Sequence, residues 1–135
     1  SLRPLAEEKG LQLISHIPAT GLNLMGDRDG LIRLFANLID NAIKYTQHGA
    51  ITVSAEARAG NGLAVTIRDT GAGIAPEHLP HIFDRFYRVD ESRSTEGIGL
   101  GLAIARETAR AHGGDITVES EVERETTFVV QLATA

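Results

Sequence analysis

"LIRLFANLIDNAIKYT", residues 31–46, carries Leu31, Leu34, Phe35, Leu38 and Ala42 at helical spacing, which predicts an amphipathic helix with one buried stripe. The same stretch sets Asn37 and Asn41 four residues apart, with Lys44 and Tyr45 following. At roughly 100° per residue, Asn37, Asn41 and Lys44 cluster beside the stripe and border the core. Asparagine is a mediocre helix former, because its amide competes for backbone hydrogen bonds. Two of them on one face suggest a duty other than helix stability.

Outward from this helix, Asp27 is a good N-cap. Before it, "LQLISHIP" alternates as a strand closed by Pro18, and "GLNLMGD" reads as a short second strand. Residues 1–9 look like the tail of a helix or a linker ending at Gly10. After the helix, "AITVSAEAR" and "GLAVTIRDT" alternate with period two around "AGNG", which is hairpin chemistry. From Thr70 to Glu96 the pattern gives way to glycine, proline and charge, with one apolar-aromatic patch, "HIFDRFYR". An irregular stretch of that length inside a compact domain is usually functional, often a lid. "LGLAIARETARAHGG" then predicts a helix stopped by Gly113 and Gly114, and "DITVESE" with "TTFVVQL" predicts a second hairpin. The sum is an α/β sandwich: a mixed, mostly antiparallel sheet with about three helices on one face and a flexible lid.

At 135 residues the chain is long enough for one domain with its own core. Hydrophobic content of 42% and charged content of 23% are ordinary for a globular protein. A formal net charge of −5 argues against a nucleic-acid surface and against docking on anionic lipid. Without cysteine there is no disulfide framework, thiolate metal site or thiol nucleophile, and a reducing cytoplasm fits that composition. No apolar run approaches the roughly 18–20 residues that span a bilayer. The first residue is Ser1, which fits a domain cut from a longer protein.

Three features carry chemistry. "DTGAGI", residues 69–74, follows a strand directly, and its glycines allow a sharp turn and close approach to a ligand. Asp69 at the strand end can accept from an exocyclic amine such as adenine N6, although a plain turn explains the motif as well. "GIGLGLAI" sets Gly97, Gly99 and Gly101 at alternate positions leading into a helix, where free N–H groups and the dipole suit phosphate. It is neither a dinucleotide-binding fingerprint, since Leu102 stands where glycine is needed, nor a P-loop, since no Gly-Lys-Ser/Thr follows. The helix asparagines admit two readings. They cap neighbouring loops, or a carboxamide oxygen serves as a hard ligand for Mg²⁺ beside phosphates, with Lys44 on a phosphate and Tyr45 packed on a base. The five histidines show no metal spacing.

The order Asn-x3-Asn-x2-Lys-Tyr, Asp-x-Gly-x-Gly, Phe-x2-Phe and Gly-x-Gly-x-Gly resembles the ATP-binding catalytic domain of sensor histidine kinases, within the Bergerat-fold (GHKL) superfamily. The likeness runs from about Gly26 to the C-terminus and includes "FDRFYRVD" and "AHGGDITVES". It implies an N box in which Asn41 coordinates Mg²⁺ bridging the ATP phosphates, Lys44 lies near the phosphates and Tyr45 lies beside the purine. It implies that Asp69 accepts the adenine amine and that Gly71, Gly73 and Ile74 floor the pocket. Phe83 and Phe86 match the F box, while Arg85 and Arg88 lie in the lid, within reach of the γ-phosphate. Gly97, Ile98, Gly99, Leu100 and Gly101 match the second glycine box, and Thr127 falls on the adenine side.

Asn37 stands where relatives that hydrolyse ATP carry a glutamate that activates water. An amide cannot be a general base at neutral pH, so the site is expected to hold ATP and hand its phosphate to an imidazole. Two positions depart from the family pattern: Ile98 replaces a small or hydroxylated residue, and Glu96 precedes Gly97 where a further glycine is frequent. No histidine is followed by an acidic residue, as a phosphoacceptor would be. The expected organisation is residues 1–10 as linker or end of a dimerisation helix and residues 11–135 as the catalytic domain. The expected partners are the dimerisation/histidine-phosphotransfer domain of the same parent and a cognate response regulator. A monomeric isolated domain from a homodimeric, membrane-anchored cytoplasmic kinase completes the expectation. The rivals are a self-sufficient ATPase and a nucleotide-sensing module without transfer.

Overall fold

A computed structural model describes residues 3–16, 28–46, 48–58, 62–71, 73–85, 101–122 and 124–133, with Arg3, Leu5, Arg28, Lys44 and Tyr45 described in backbone only. In chain order these form α1 (Arg3–Glu8), β1 (Gln12–His16), α2 (Arg28–Tyr45), β2 (Ala50–Arg58), β3 (Gly62–Asp69), α3 (Gly101–Ala111), β4 (Asp115–Glu121) and β5 (Glu125–Ala133). The expected strand over 21–27, the Asp27 cap and the hairpin tip at 59–61 lie outside the described residues.

The strands form one five-stranded sheet in the order β1-β2-β3-β5-β4. β1 pairs with β2 in parallel, and every other pairing is antiparallel. A parallel neighbour requires a crossover between the two strands, and α2 lies on that connection. The antiparallel pairs follow from the hairpins, whose alternation sorts side chains by face. Ile51 and Val53 of β2, Leu63, Val65 and Ile67 of β3, Ile116 of β4 and Phe128, Val130 and Leu132 of β5 are all buried on one face. The other face presents Thr52, Glu56, Arg68, Thr117 and Glu119.

α2 supplies Leu31, Leu34, Leu38 and Ala42 to the core, the stripe its spacing predicts. Truncating a fully buried leucine such as Leu34 or Leu38 to alanine costs about 2–5 kcal/mol. α3 turns Ala105 and Ala109 inward, and such small side chains let it lie close against α2 and the sheet. α1 joins the same core through Ala6, and the Lys9 ammonium donates to the Ile43 carbonyl at 2.7 Å, in the last turn of α2. α3 ends where Gly113 adopts φ 78° and the Gly114 N–H returns to the Ala109 carbonyl at 3.0 Å. Arg106 Nε donates to Asp115 Oδ1 at 2.9 Å and Arg110 Nε at 3.2 Å, tying α3 to β4. The Arg106 guanidinium leads in lowering the Asp115 pKa to about 2.

The irregular stretch after β3 is fastened over its first part. A short 3-10 turn, Leu79–His81, leads to Ile82, which is buried in the core. Phe83 meets Phe128 edge-on at 6.2 Å between ring centroids, and the Arg106 guanidinium lies 4.8 Å from the Phe83 centroid. Residues 86–100 lie outside the described residues.

Candidate functional site

The last residue of β3 is buried and acidic. Asp69 is 6% exposed, its inward direction set by the same alternation that buries Ile67. Asp69 Oδ1 accepts the Gly71 N–H at 2.9 Å, so the turn folds back on the carboxylate. Burial is the main cause that raises its pKa, and the Glu125 charge adds to it. The Gly71 N–H and the Thr46 hydroxyl work in the other direction.

Two threonines close around this carboxylate. Thr46, just past the end of α2, is wholly buried, and its hydroxyl finds no partner of good hydrogen-bond geometry. It still lies near enough to Asp69 to favour the charged carboxylate. Thr126 stands directly across the strand pair from Asp69 and is 4% exposed. Its hydroxyl lies 3.0 Å from Ser120 Oγ on β4.

This corrects one expectation. Thr127 pairs with Arg68, one residue out of phase, so it sits on the opposite face of the sheet from Asp69. Side chains alternate along a strand, and Phe128, Val130 and Leu132 point inward, so Thr126 shares their side. That periodicity was the signal that singles out Thr126. Thr46 and Ser120 carried no comparable signal, because one follows a helix end and the other meets partners far away in sequence.

The turn after Asp69 is moulded onto the β4–β5 hairpin. Gly73 has φ 74°, and a side chain there would overlap the Glu121 carbonyl and come within 2.8 Å of Val122 Cα. Glycine is therefore required twice over, by the backbone angle and by the close approach. The Ile74 N–H donates to Ser120 Oγ at 2.6 Å, and Ile74 packs partly buried against the core.

From this end α2 runs back past Asn41 and then Asn37, both half-buried. Eight residues from Tyr45 to Asn37 span about 12 Å at the helical rise. Asn37 faces the first residue of α3: a Cβ placed on Gly101 would lie 3.8 Å from its Cγ. A helix start leaves N–H groups without intrahelical acceptors, so Asn37 lies beside the kind of end that attracts phosphate. Arg85 is engaged elsewhere, in an exposed ion pair with Glu107 of α3. The structure thus gathers Asp69, Gly71, Gly73 and Ile74 at one end, and sets Asn37, Asn41 and Gly101 along α2 and the start of α3. The side chains of Lys44 and Tyr45, and Phe86, Arg88, Gly97, Ile98, Gly99 and Leu100, lie outside the described residues.

Chemically, the first end is a buried wall built on the Asp69 carboxylate, suited to a flat base with an amino group, with the Thr46 and Thr126 hydroxyls beside it. The second is a half-open row of amides suited to oxyanions or a hard cation. Among the described residues no cluster of three or more His, Cys, Asp or Glu could cage a metal. A cation here would rest on an amide, waters and the anion it accompanies.

Comparison with known proteins bears on the family and the fold. The profile of a family described as histidine kinase-, DNA gyrase B-, and HSP90-like ATPase matches residues 26–135. The sensor protein SrrB of Staphylococcus aureus (strain NCTC 8325 / PS 47) is 44% identical over 109 residues, 78% of this chain and 18% of its own length. The chain therefore spans less than a fifth of that relative. A crystal structure of full-length ShkA in complex with AMPPNP superposes with a TM-score of 0.86 at 31% identity, covering 99% of this chain and 28% of that one. The mycobacterial sensor histidine kinase MprB gives 0.84 at 28% identity, covering 98% of this chain and 90% of that one.

Proposed function

Because the chain belongs to the histidine kinase-, DNA gyrase B- and HSP90-like ATPase family, where its relatives include sensor histidine kinases, we propose that it binds ATP with Mg²⁺ and passes the γ-phosphate to a histidine on a separate dimerisation domain. The observation that carries this reading is the buried Asp69 carboxylate, fixed by Gly71 at one end of a helix whose preceding turns carry Asn41 and Asn37. Such a carboxylate accepts the adenine amine and repels the O6 acceptor of guanine. The Thr46 hydroxyl beside it, buried with no partner of good geometry, can turn to an incoming base, which supports the fit.

Asn41 would hold the Mg²⁺, which when bound neutralises charge on the triphosphate. Asn37 lies against the start of α3, positioned to hydrogen-bond the phosphate end, and as an amide it cannot take a proton from water. Lys44 and Arg88 would add cationic contacts, and Arg85 would join them only after leaving Glu107. Phosphoryl transfer asks the protein chiefly for positioning and charge stabilisation, which this residue set supplies. We place the parent as a homodimeric kinase using cytoplasmic ATP and relaying phosphate to a response regulator. No helix among the described residues is long and apolar enough to cross a membrane.

The test supplies a dimerisation domain bearing an acceptor histidine, together with Mg²⁺ and γ-labelled ATP. Acid-labile, base-stable label should collect on the acceptor, with negligible free phosphate and no label on this chain. Rapid phosphate release would instead favour a self-sufficient ATPase. Binding without transfer would favour a nucleotide-sensing module.

A further inference from the structure

Ser120 closes the stretch "AHGGDITVES" but has no role in the nucleotide site as proposed, and three groups converge on its hydroxyl. The Ile74 N–H donates to Ser120 Oγ at 2.6 Å, the Glu125 carbonyl lies 3.1 Å away, and the Thr126 hydroxyl lies at 3.0 Å. A serine hydroxyl has one proton and two lone pairs. The Ile74 amide occupies one lone pair. The Glu125 carbonyl can only accept, so it takes the serine proton. One lone pair remains, and Thr126 fills it by donating its own proton. Thr126 is then spent as a donor, and only its lone pairs are left for the Asp69 side.

We infer that Ser120 is a positioning residue that sets base selectivity, by holding Thr126 as an acceptor and seating the Gly73–Ile74 turn beneath the base. The inference rests on the proposed nucleotide site and deepens it. With Thr126 directly across from Asp69, these two groups both face the base as acceptors, which match the adenine amine and oppose guanine O6. Without Ser120, the Thr126 hydroxyl rotates freely and can donate to O6, so discrimination falls even though Asp69 is untouched. The turn also loses the tether from the Ile74 N–H to β4, while Gly73 stays pressed on the Glu121–Val122 backbone.

The test is calorimetric titration of the chain with ADP and with GDP, both without metal so that the phosphate end contributes least. Wild type, Ser120→Ala and Ser120→Thr are compared, each with a thermal melt. The wild type should prefer ADP at least about tenfold, and Ser120→Ala should lower that ratio by about five- to tenfold, as expected for one neutral hydrogen bond changing direction. Ser120→Thr, which keeps the hydroxyl and suits a strand, should restore it. Should alanine disturb folding, Ser120→Cys keeps the size with a weak sulfur partner and must show the same loss of ratio. An unchanged ratio in folded Ser120→Ala, an equal loss of ADP and GDP affinity, or no recovery with threonine would overturn the inference while leaving the site intact. A wild type that binds neither nucleotide would overturn the site reading and this inference together.

Discussion

Asp69, Thr46 and Thr126 are 6%, 0% and 4% exposed, whereas Asn37 and Asn41 stand half-buried along α2 and Gly101 is exposed at the start of α3. At the end proposed for the base, strand pairing and the Gly71 amide already aim the acceptors. The end proposed for the phosphates is a set of amides in more open space. Burial makes an unmatched polar group costly, so the closed end is suited to choosing the base. The open end can accommodate a hydrated, charged group and a reacting partner, so it is suited to chemistry. Mutations at the two ends should therefore separate recognition from transfer.

The largest effect is expected at the open end. Asn41→Ala should lower phosphotransfer by about a hundredfold, the scale for losing one group that stabilises charge in the reacting centre. Metal-free ADP should bind this variant almost as it binds wild type. A collapse of metal-free ADP binding would merge the two ends and make Asn41 structural.

At the closed end, Asp69→Asn should weaken ADP by about tenfold or more, because an amide cannot present two acceptor oxygens to the adenine edge. The same change should stabilise the ligand-free fold. Burial raises the folded-state pKa of Asp69 above 3.8, so its charge opposes folding at neutral pH, and that cost is relieved as pH falls through the raised value. Thermal melts across acidic pH should show this relief in wild type and not in Asp69→Asn.

A smaller effect is expected at Thr46. Thr46→Val replaces a buried hydroxyl whose contact with Asp69 is of poor hydrogen-bond geometry with a methyl of similar shape, so the ligand-free melting temperature should change little. ADP affinity should fall several-fold, measured by the same titration. A fall in stability with unchanged affinity would make Thr46 a packing residue only.

The smallest effect lies away from both ends. Asp115, held at a pKa of about 2 chiefly by Arg106, contributes stability that is present above 3.8 and lost as pH falls toward 2. Its side chain is 41% exposed, so screening limits the contribution to about 1 kcal/mol or less. Asp115→Asn should cost that much at neutral pH by chemical denaturation and leave ADP binding unchanged.

The difference between the ends also governs what could be read from the sequence. Strand alternation fixes the inner face from Ile51 to Leu132, and helical spacing fixes the α2 stripe, because both are short-range periodicities. Asp69 and the glycines after it were legible for the same reason. The family resemblance points to Thr127, whereas strand alternation turns Thr126 inward beside Asp69. The parallel pairing of β1 with β2, the contact of Thr46 with Asp69 and the bond from Ile74 to Ser120 are long-range consequences of packing, and no local pattern encodes them. The edge-on contact of Phe83 with Phe128 is of the same kind, joining residues distant in sequence that meet only once the sheet has formed.

The central claim, that a closed acceptor wall built on Asp69 selects adenine before metal or phosphate is engaged, is tested most directly by titrating the wild-type chain with ADP and GDP without divalent metal. ADP should bind at least about tenfold more tightly, corresponding to about 1.4 kcal/mol. Equal affinities would contradict the claim.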